Sequence, residues 1–248
     1  MGTASQPPDT AGATVDFETA IAEQLIKYGR MVVARGYIHN TLGNIAIRVP
    51  HPAYPDGVAY TKHAGVSLEE MELDNVVITD IPTGRLLHGE VTTSVGHQLN
   101  REILRLRADI NAVIHVHHDE TIAHFAAGRV EDVKAVSLEY PYVMAKSAYV
   151  VGSHLDVEED VSPLKEFIQD TNSVIMIGHG ITTLGRNVSE AYHRLNTLTS
   201  EVRRNVMVEI LCAARGTTGH YLTDAEVQSM FERAEEVIYP ERAGGSRE

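Results

Sequence analysis

Apolar residues recur along this chain with two periods, and the changes from one to the other mark out its elements. Phe17, Ile21, Leu25, Tyr28, Met31 and Val32 fall at helical spacing, which predicts an amphipathic helix ending near Arg35-Gly36. Thr41 to Arg48 reads as a turn entering a short strand, Val58 to Thr61 as a second strand, and Val76 to Thr79 as a third, closed by a turn over Asp80 to Gly84. Between them, Ser67-Leu-Glu-Glu70 has the form of a capping box and predicts the start of a short helix. Leu99, Ile103 and Leu106 mark a helix to about Arg107, which delivers the chain to a β-branched run, Val113-Ile-His-Val-His-His118. Ala135 to Leu138 and Tyr149 to Val151 are β-like, and a further apolar strand, Ser173 to Ile177, runs into Gly178-His179-Gly180. A long helix follows, with Ala191, Leu195, Leu198, Val202, Val206 and Ile210 on one face, and a last helix opens with the capping box Thr223-Asp-Ala-Glu226 and runs toward Val237. Strands mixed with helices, without strict alternation, predict an α/β fold in which helices cover a mixed or antiparallel sheet.

Composition narrows the picture. With 248 residues, 43% of them hydrophobic, the chain is long enough for one large domain, expected over residues 15–240. Residues 1–14, rich in Gly, Pro, Ser and Thr and without periodicity, are expected to form a disordered tail. A net charge of -13, from 21 basic against 34 acidic residues, disfavours nucleic acid and anionic membranes as partners and leaves a small-molecule substrate as the default. The lone cysteine, Cys212, excludes an intrachain disulfide, and its apolar setting suggests a buried thiol. No run approaches eighteen apolar residues and the start lacks the regions of a signal peptide, so an unexported, cytoplasmic protein is expected.

The histidines bring in chemistry. Side chains alternate along a strand, so His115 and His117 project from one face while Val116 and His118 project from the other. Two neutral imidazoles placed this way can meet one cation, and His179, flanked by glycines that leave its ring unobstructed, is the natural third ligand. A lone strand histidine is more often a satisfied polar group; three so arranged are costly to bury without a partner. His118 is expected to be structural. Gly43-Asn44 could offer backbone amides and a side-chain amide to an anion, although such a pair is more often simply a turn.

The order of Gly43-Asn44-Ile-Ala-Ile-Arg48, Thr61 to Gly65, Ala108 to His117 and Asn172 to Gly180 resembles the class II aldolase/adducin family over roughly residues 17–213. The resemblance implies a three-layer α/β/α fold with a mixed, largely antiparallel central sheet. It also implies a homo-oligomer, with a tetramer favoured, and active sites between subunits. One divalent ion per subunit (Zn, Mn or Fe) would be held by His115, His117 and His179, and substrate by Gly43, Asn44, Thr61, Gly65 and Ser94. Two departures stand out. Where the aldolases carry Ser-Ser-Glu, this chain has Ser94-Val95-Gly96, so the acid/base carboxylate is missing, and the neighbouring His97 is the candidate to replace it. Ala64 and Val95 replace phosphate-binding hydroxyls. Each lost hydroxyl forfeits on the order of 1 kcal/mol or more of charge-assisted binding, which disfavours a sugar phosphate. Tyr140, with Tyr142 nearby, lies where the aldolases carry an acid tyrosine.

The resulting expectation is a metal-dependent lyase that breaks a C–C bond beside a chelated carbonyl or carboxylate of an unphosphorylated substrate, by decarboxylation or retro-aldol cleavage. Two alternatives accompany it. One is a non-haem iron oxygenase of the aminocoumarin-pathway type, acting on an aryl-pyruvate or mandelate side chain; the other is a non-catalytic, adducin-like binding module.

Overall fold

The computed structural model describes residues 15–128, 130–152 and 159–237, so the tail expected over 1–14 lies outside it. In chain order the elements are α1 (Thr19–Ala34), β1 (Asn44–His51), β2 (Tyr54–Lys62), β3 (Val76–Asp80), β4 (Leu86–His88), α2 (His97–Leu106), β5 (Ala112–Val116) and α3 (Asp119–Ala126). They continue with α4 (Glu139–Met144), β6 (Tyr149–Val151), β7 (Ser173–Met176), β8 (Gly180–Gly185), α5 (Val188–Arg215) and α6 (Asp224–Val237). The strands form one eight-stranded sheet in the order β4-β3-β2-β1-β5-β8-β7-β6. Every neighbouring pair is antiparallel except β6–β7, so the sheet is mixed and largely antiparallel, as the resemblance implies.

Strand residues alternate between two apolar layers. Ile45, Ile47, Tyr60, Ile78, Ile114, Val116 and Ile181 pack with Leu25 and Val32 of α1 and with Leu195, Leu198 and Val202 of α5. Ala46, Ala59, Val113, Val174, Met176 and Leu184 pack on the other side with Leu99, Ile103 and Leu104 of α2 and with Leu164 and Ile168. Cover on both faces explains why β5 reads as an unbroken apolar run apart from its histidine. Each fully buried Leu or Ile of α2 contributes about 1.5–3 kcal/mol by leaving water, so this short helix is anchored mainly by one apolar stripe.

Four expectations change on folding. The Ser67–Glu70 capping box does form, Glu70 N–H donating to Ser67 Oγ at 3.3 Å and Ser67 N–H to the Glu70 carboxylate at 3.1 Å. It closes only a turn, because the chain goes extended at Glu72 (φ -121°, ψ 176°) as it leaves the buried Met71. Ala135 to Leu138 is no strand: the Val136 and Ser137 amides both donate to the buried Glu201 carboxylate of α5, so a side chain takes the place of a ladder. β7 stops at Met176 and leaves Ile177 40% exposed. Finally, α5 buries its stripe only as far as Asn205. A helix of 28 residues is about 42 Å long and outruns the sheet beneath it, leaving Ile210 63% exposed and Cys212 half-buried rather than buried.

Candidate metal centre

β5 carries His115 on the same side as Val113, facing the α2 layer, and then ends, so that His117 lies one residue beyond the strand. His118 follows in extended conformation (φ -81°, ψ 115°) as the residue before α3. On the neighbouring strands, Gly178 (φ +76°) allows the tight β7–β8 turn that lifts His179. At Gly180 a Cβ would sit 2.2 Å from the Val116 carbonyl oxygen, so only glycine lets β8 begin this close to the end of β5. The two glycines therefore set the place of His179 relative to β5.

The outcome is a cluster of three imidazoles. Ring centroids are 5.0 Å apart for His115 and His117, 5.0 Å for His115 and His179, and 4.8 Å for His117 and His179. One nitrogen from each ring can be chosen so that all lie within 4.8 Å of one another, and among the described residues no other group of His, Cys, Asp or Glu meets that condition. His115 Nδ1 lies 3.0 Å from Thr182 Oγ1 on the paired β8, while its Nε2 is 3.1 Å from His117 Nε2. Engaging Nδ1 leaves the Nε2 lone pair for an ion, and two Nε2 atoms this close need a shared cation or proton between them. Burial, with His117 and His179 adding like-charge repulsion, holds the His115 pKa well below its usual value. Burial, then His179 and His39, lowers that of His117 to about 4. Both rings are thus neutral near pH 7, the protonation state a metal ligand needs. The donor set fits a divalent ion such as Zn, Mn or Fe and supplies no charge of its own to offset it.

Of the residues predicted to hold substrate, Gly43 and Asn44 lie against His115. Asn44 is the cross-strand partner of His115. Before it, Gly43 (φ +73°) sits where a Cβ would press on the His115 carbonyl oxygen at 3.0 Å. Ala64 N–H donates to the Thr92 carbonyl at 2.8 Å and His63 bridges Thr93, which lays the Ala64-Gly65 turn beside the segment leading to Ser94. Ser94 itself ends in the turn before α2, its carbonyl accepting His97 N–H at 3.1 Å. Thr61 is buried on the α2 side of β2, and no described residue partners its Oγ1. Sequence reasoning passed over Lys62. Its buried ammonium donates to the Thr41 and Val66 carbonyls, each at 2.9 Å, and so ties together the loops that precede Gly43 and follow Gly65. Burial lowers its pKa. Thr182 and Asn100 were missed as well; Thr182 becomes legible only once the β5–β8 register is known.

Two candidates do not join the imidazoles. His97 opens α2 and is 1% exposed, with its Nε2 3.1 Å from Thr79 Oγ1 on β3 and its pKa lowered to about 3 by burial and then by Arg101. The helix turns the side chain of residue 97 inward onto β3, while residue 96, which would have borne the carboxylate, faces Asn44. Tyr140 is buried in the α1/α5 layer, its hydroxyl accepting Ala148 N–H at 3.4 Å, and burial raises its pKa. His118 is buried against Thr121 (2.8 Å) and Glu120 (2.8 Å).

A largely antiparallel α/β/α sheet with three histidines meeting at one strand end defines a class, and the comparisons agree: residues 23–204 match the Class II Aldolase and Adducin N-terminal domain. The chain belongs to the class II aldolase/adducin family. It is 32% identical to an L-fuculose phosphate aldolase of Methanococcus maripaludis over 193 residues, covering 76% of this chain and 97% of that one. A methylthioribulose-1-phosphate dehydratase of Enterobacter is 27% identical over 190 residues, covering 70% and 88%. Among solved structures, an L-fuculose 1-phosphate aldolase superposes with a TM-score of 0.72 at 20% identity, covering 88% of this chain and 97% of that chain. No helix of the described residues is long and apolar enough to cross a membrane.

Proposed function

We propose that this protein is a divalent-metal-dependent lyase that breaks a C–C bond beside a chelated carbonyl or carboxylate in a small, unphosphorylated substrate. The observation that carries the reading is the convergence of His115, His117 and His179 without a carboxylate. A bound divalent ion would supply the electrophile that draws electron density from the neighbouring C–C bond. The chain does the rest. His115 is oriented by Thr182, Asn44 lies beside it on β1, and Gly96 leaves space where the aldolases place their acid/base carboxylate. With Gly96 at that position, retro-aldol cleavage lacks the carboxylate that deprotonates the hydroxyl in the aldolases. Decarboxylation needs only an electron sink and a proton donor, so it is the favoured branch. His97 and Tyr140 enter as core residues rather than as proton carriers, because each is buried among other partners.

A second reading has its own support. The two relatives named above act, by their names, on phosphorylated sugars, and Gly43, Asn44, Gly65 and Ser94 remain here; cleavage or dehydration of a ketose phosphate at the same centre follows from that. Anaerobic purification with elemental analysis, followed by turnover of 2-oxo and 2-hydroxy carboxylates against ketose phosphates, separates the readings. About one Zn or Mn per chain and carboxylate turnover are expected. Ketose-phosphate cleavage above about 10⁴ M⁻¹s⁻¹ sinks the unphosphorylated assignment. Iron redirects the chemistry to oxygen, and a protein that binds no metal points to an adducin-like binding role. We also assign the chain to a cytoplasmic homo-oligomer, with a tetramer favoured; light scattering that returned the 27.2 kDa monomer would refute the assembly.

A further inference from the structure

We propose that Asn100 is a positioning residue: it fixes the Asn44 carboxamide so that the amide presents its N–H donors, and not its oxygen, to the substrate space beside the imidazole cluster. A carboxamide offers two donors at one end and an acceptor at the other, so the end facing a site decides which oxygen or nitrogen that site accepts. Asn44 Oδ1 is occupied, accepting a hydrogen bond from Asn100 Nδ2. Both residues are buried, Asn44 at 3% exposure and Asn100 at 0%, and no described residue partners Asn100 Oδ1, so the bond to Asn44 Oδ1 is what orders the Asn100 amide. The other end of Asn44 is located by a glycine. Apart from its chain neighbours and the backbone of its own helix, a Cβ built on Gly96 would meet one heavy atom within 4 Å, Asn44 Nδ2 at 3.4 Å, so that nitrogen and the bare side of Gly96 face the same space. Gly96 and Asn100 are four residues apart, one turn of α2, so the same helix bounds the space and orients the amide that looks into it. The first two amides of α2, His97 and Gln98, donate to the Ser94 and Val95 carbonyls, so the Asn44 amide and not the helix end supplies the donors. Such N–H donors suit a substrate oxygen that carries negative charge.

The assignment rests on the proposed centre only in placing that space next to an ion, and its test is separable from the substrate class. In Asn100→Asp, measured at a pH where the new carboxylate is ionised, the side chain can only accept, so Asn44 turns its Nδ2 inward and its Oδ1 toward the substrate space. In Asn100→Leu the amide is left without an anchor. Binding of glycolate, inorganic phosphate and imidazole is measured by calorimetry on protein carrying its own metal, with metal content and thermal midpoint checked for each variant. Asn100→Asp should weaken both anions at least tenfold and Asn100→Leu three- to tenfold, while imidazole, which needs only the metal, binds within twofold of the parent. The proposal is overturned if folded, metal-loaded Asn100→Asp binds both anions as the parent does, and Asn100→Leu decides on the same criterion should the aspartate variant fail to fold. Loss of imidazole binding in step with the anions, or a parent protein that binds neither anion at millimolar concentration, overturns it too. Preference for phosphate over glycolate would instead refute the unphosphorylated substrate and leave the role of Asn100 intact.

Discussion

The three imidazoles at the end of β5 and the single imidazole of His97 beneath α2 look onto the same face of the sheet, and burial keeps both His115 and His97 neutral. Their surroundings differ in one respect. His97 Nε2 has a hydroxyl of its own, Thr79, and among the described residues His97 belongs to no group of three or more His, Cys, Asp or Glu that could hold an ion. His115 spends only Nδ1 on a hydroxyl, Thr182, and turns Nε2 toward two further rings. A depressed pKa therefore separates buried histidines from exposed ones but not ligands from structural pins. What separates those is where the second nitrogen points.

That contrast can be broken most sharply at the cluster. His115→Ala, or stripping the protein with a chelator, should remove the metal and cut turnover about 10³-fold or more, equivalent to roughly 4 kcal/mol of barrier. His97→Leu should leave metal content unchanged, as elemental analysis would read; a variant at position 97 that lost the ion would put His97 back in the site.

The next effect is on the pH dependence of stability. His97 has a folded pKa of about 3 against roughly 6.5 when unfolded, so the unfolded chain binds its proton first as pH falls. The stability that comes from keeping the ring neutral is complete above pH 6.5, and by pH 4 about 3 kcal/mol of it is lost. Urea titrations at pH 7 and pH 4 should show His97→Leu losing less stability over this range than the parent by about that amount; parallel losses would mean that the ring is not held neutral. Smaller is the expected effect of Thr182→Val, which frees the His115 ring to rotate. Metal affinity should fall about 10- to 100-fold, or roughly 1.4–2.7 kcal/mol, with little change in thermal midpoint. Smallest is His118→Gln, which disturbs the bonds to Thr121 and Glu120 and should cost about 1 kcal/mol of stability with metal retained. Loss of metal there would extend the centre to a fourth ring.

Much of this was legible before folding. Periodicity located α1, α2, β5 and α5, because apolar spacing is a local property of the chain, and the spacing of His115 and His117 implied a shared direction for the same reason. The glycines around His179 were readable too, since glycine adopts the positive φ of residue 178 without strain and leaves room for the approach of Val116 at residue 180.

Other features depended on partners distant in sequence. Ala135 to Leu138 has the composition of a strand and became a loop because Glu201, more than sixty residues later, accepts its amides. His97 stands next to the position of the missing carboxylate, yet a helix turns successive side chains by about 100°, so neighbours in sequence face different surroundings. Whether residue 97 or residue 96 meets the site was fixed by the way α2 docks on β1 and β3 through Asn100 and Thr79. The sequence by itself therefore determined the strongly periodic elements α1, α2, β5 and α5 and which of their side chains share a face, since those follow from backbone geometry over a few residues. The tertiary structure alone decided which nitrogen of each histidine is taken and which end of Asn44 looks outward, because hydrogen-bond partners at that distance exist only once the sheet and helices have packed.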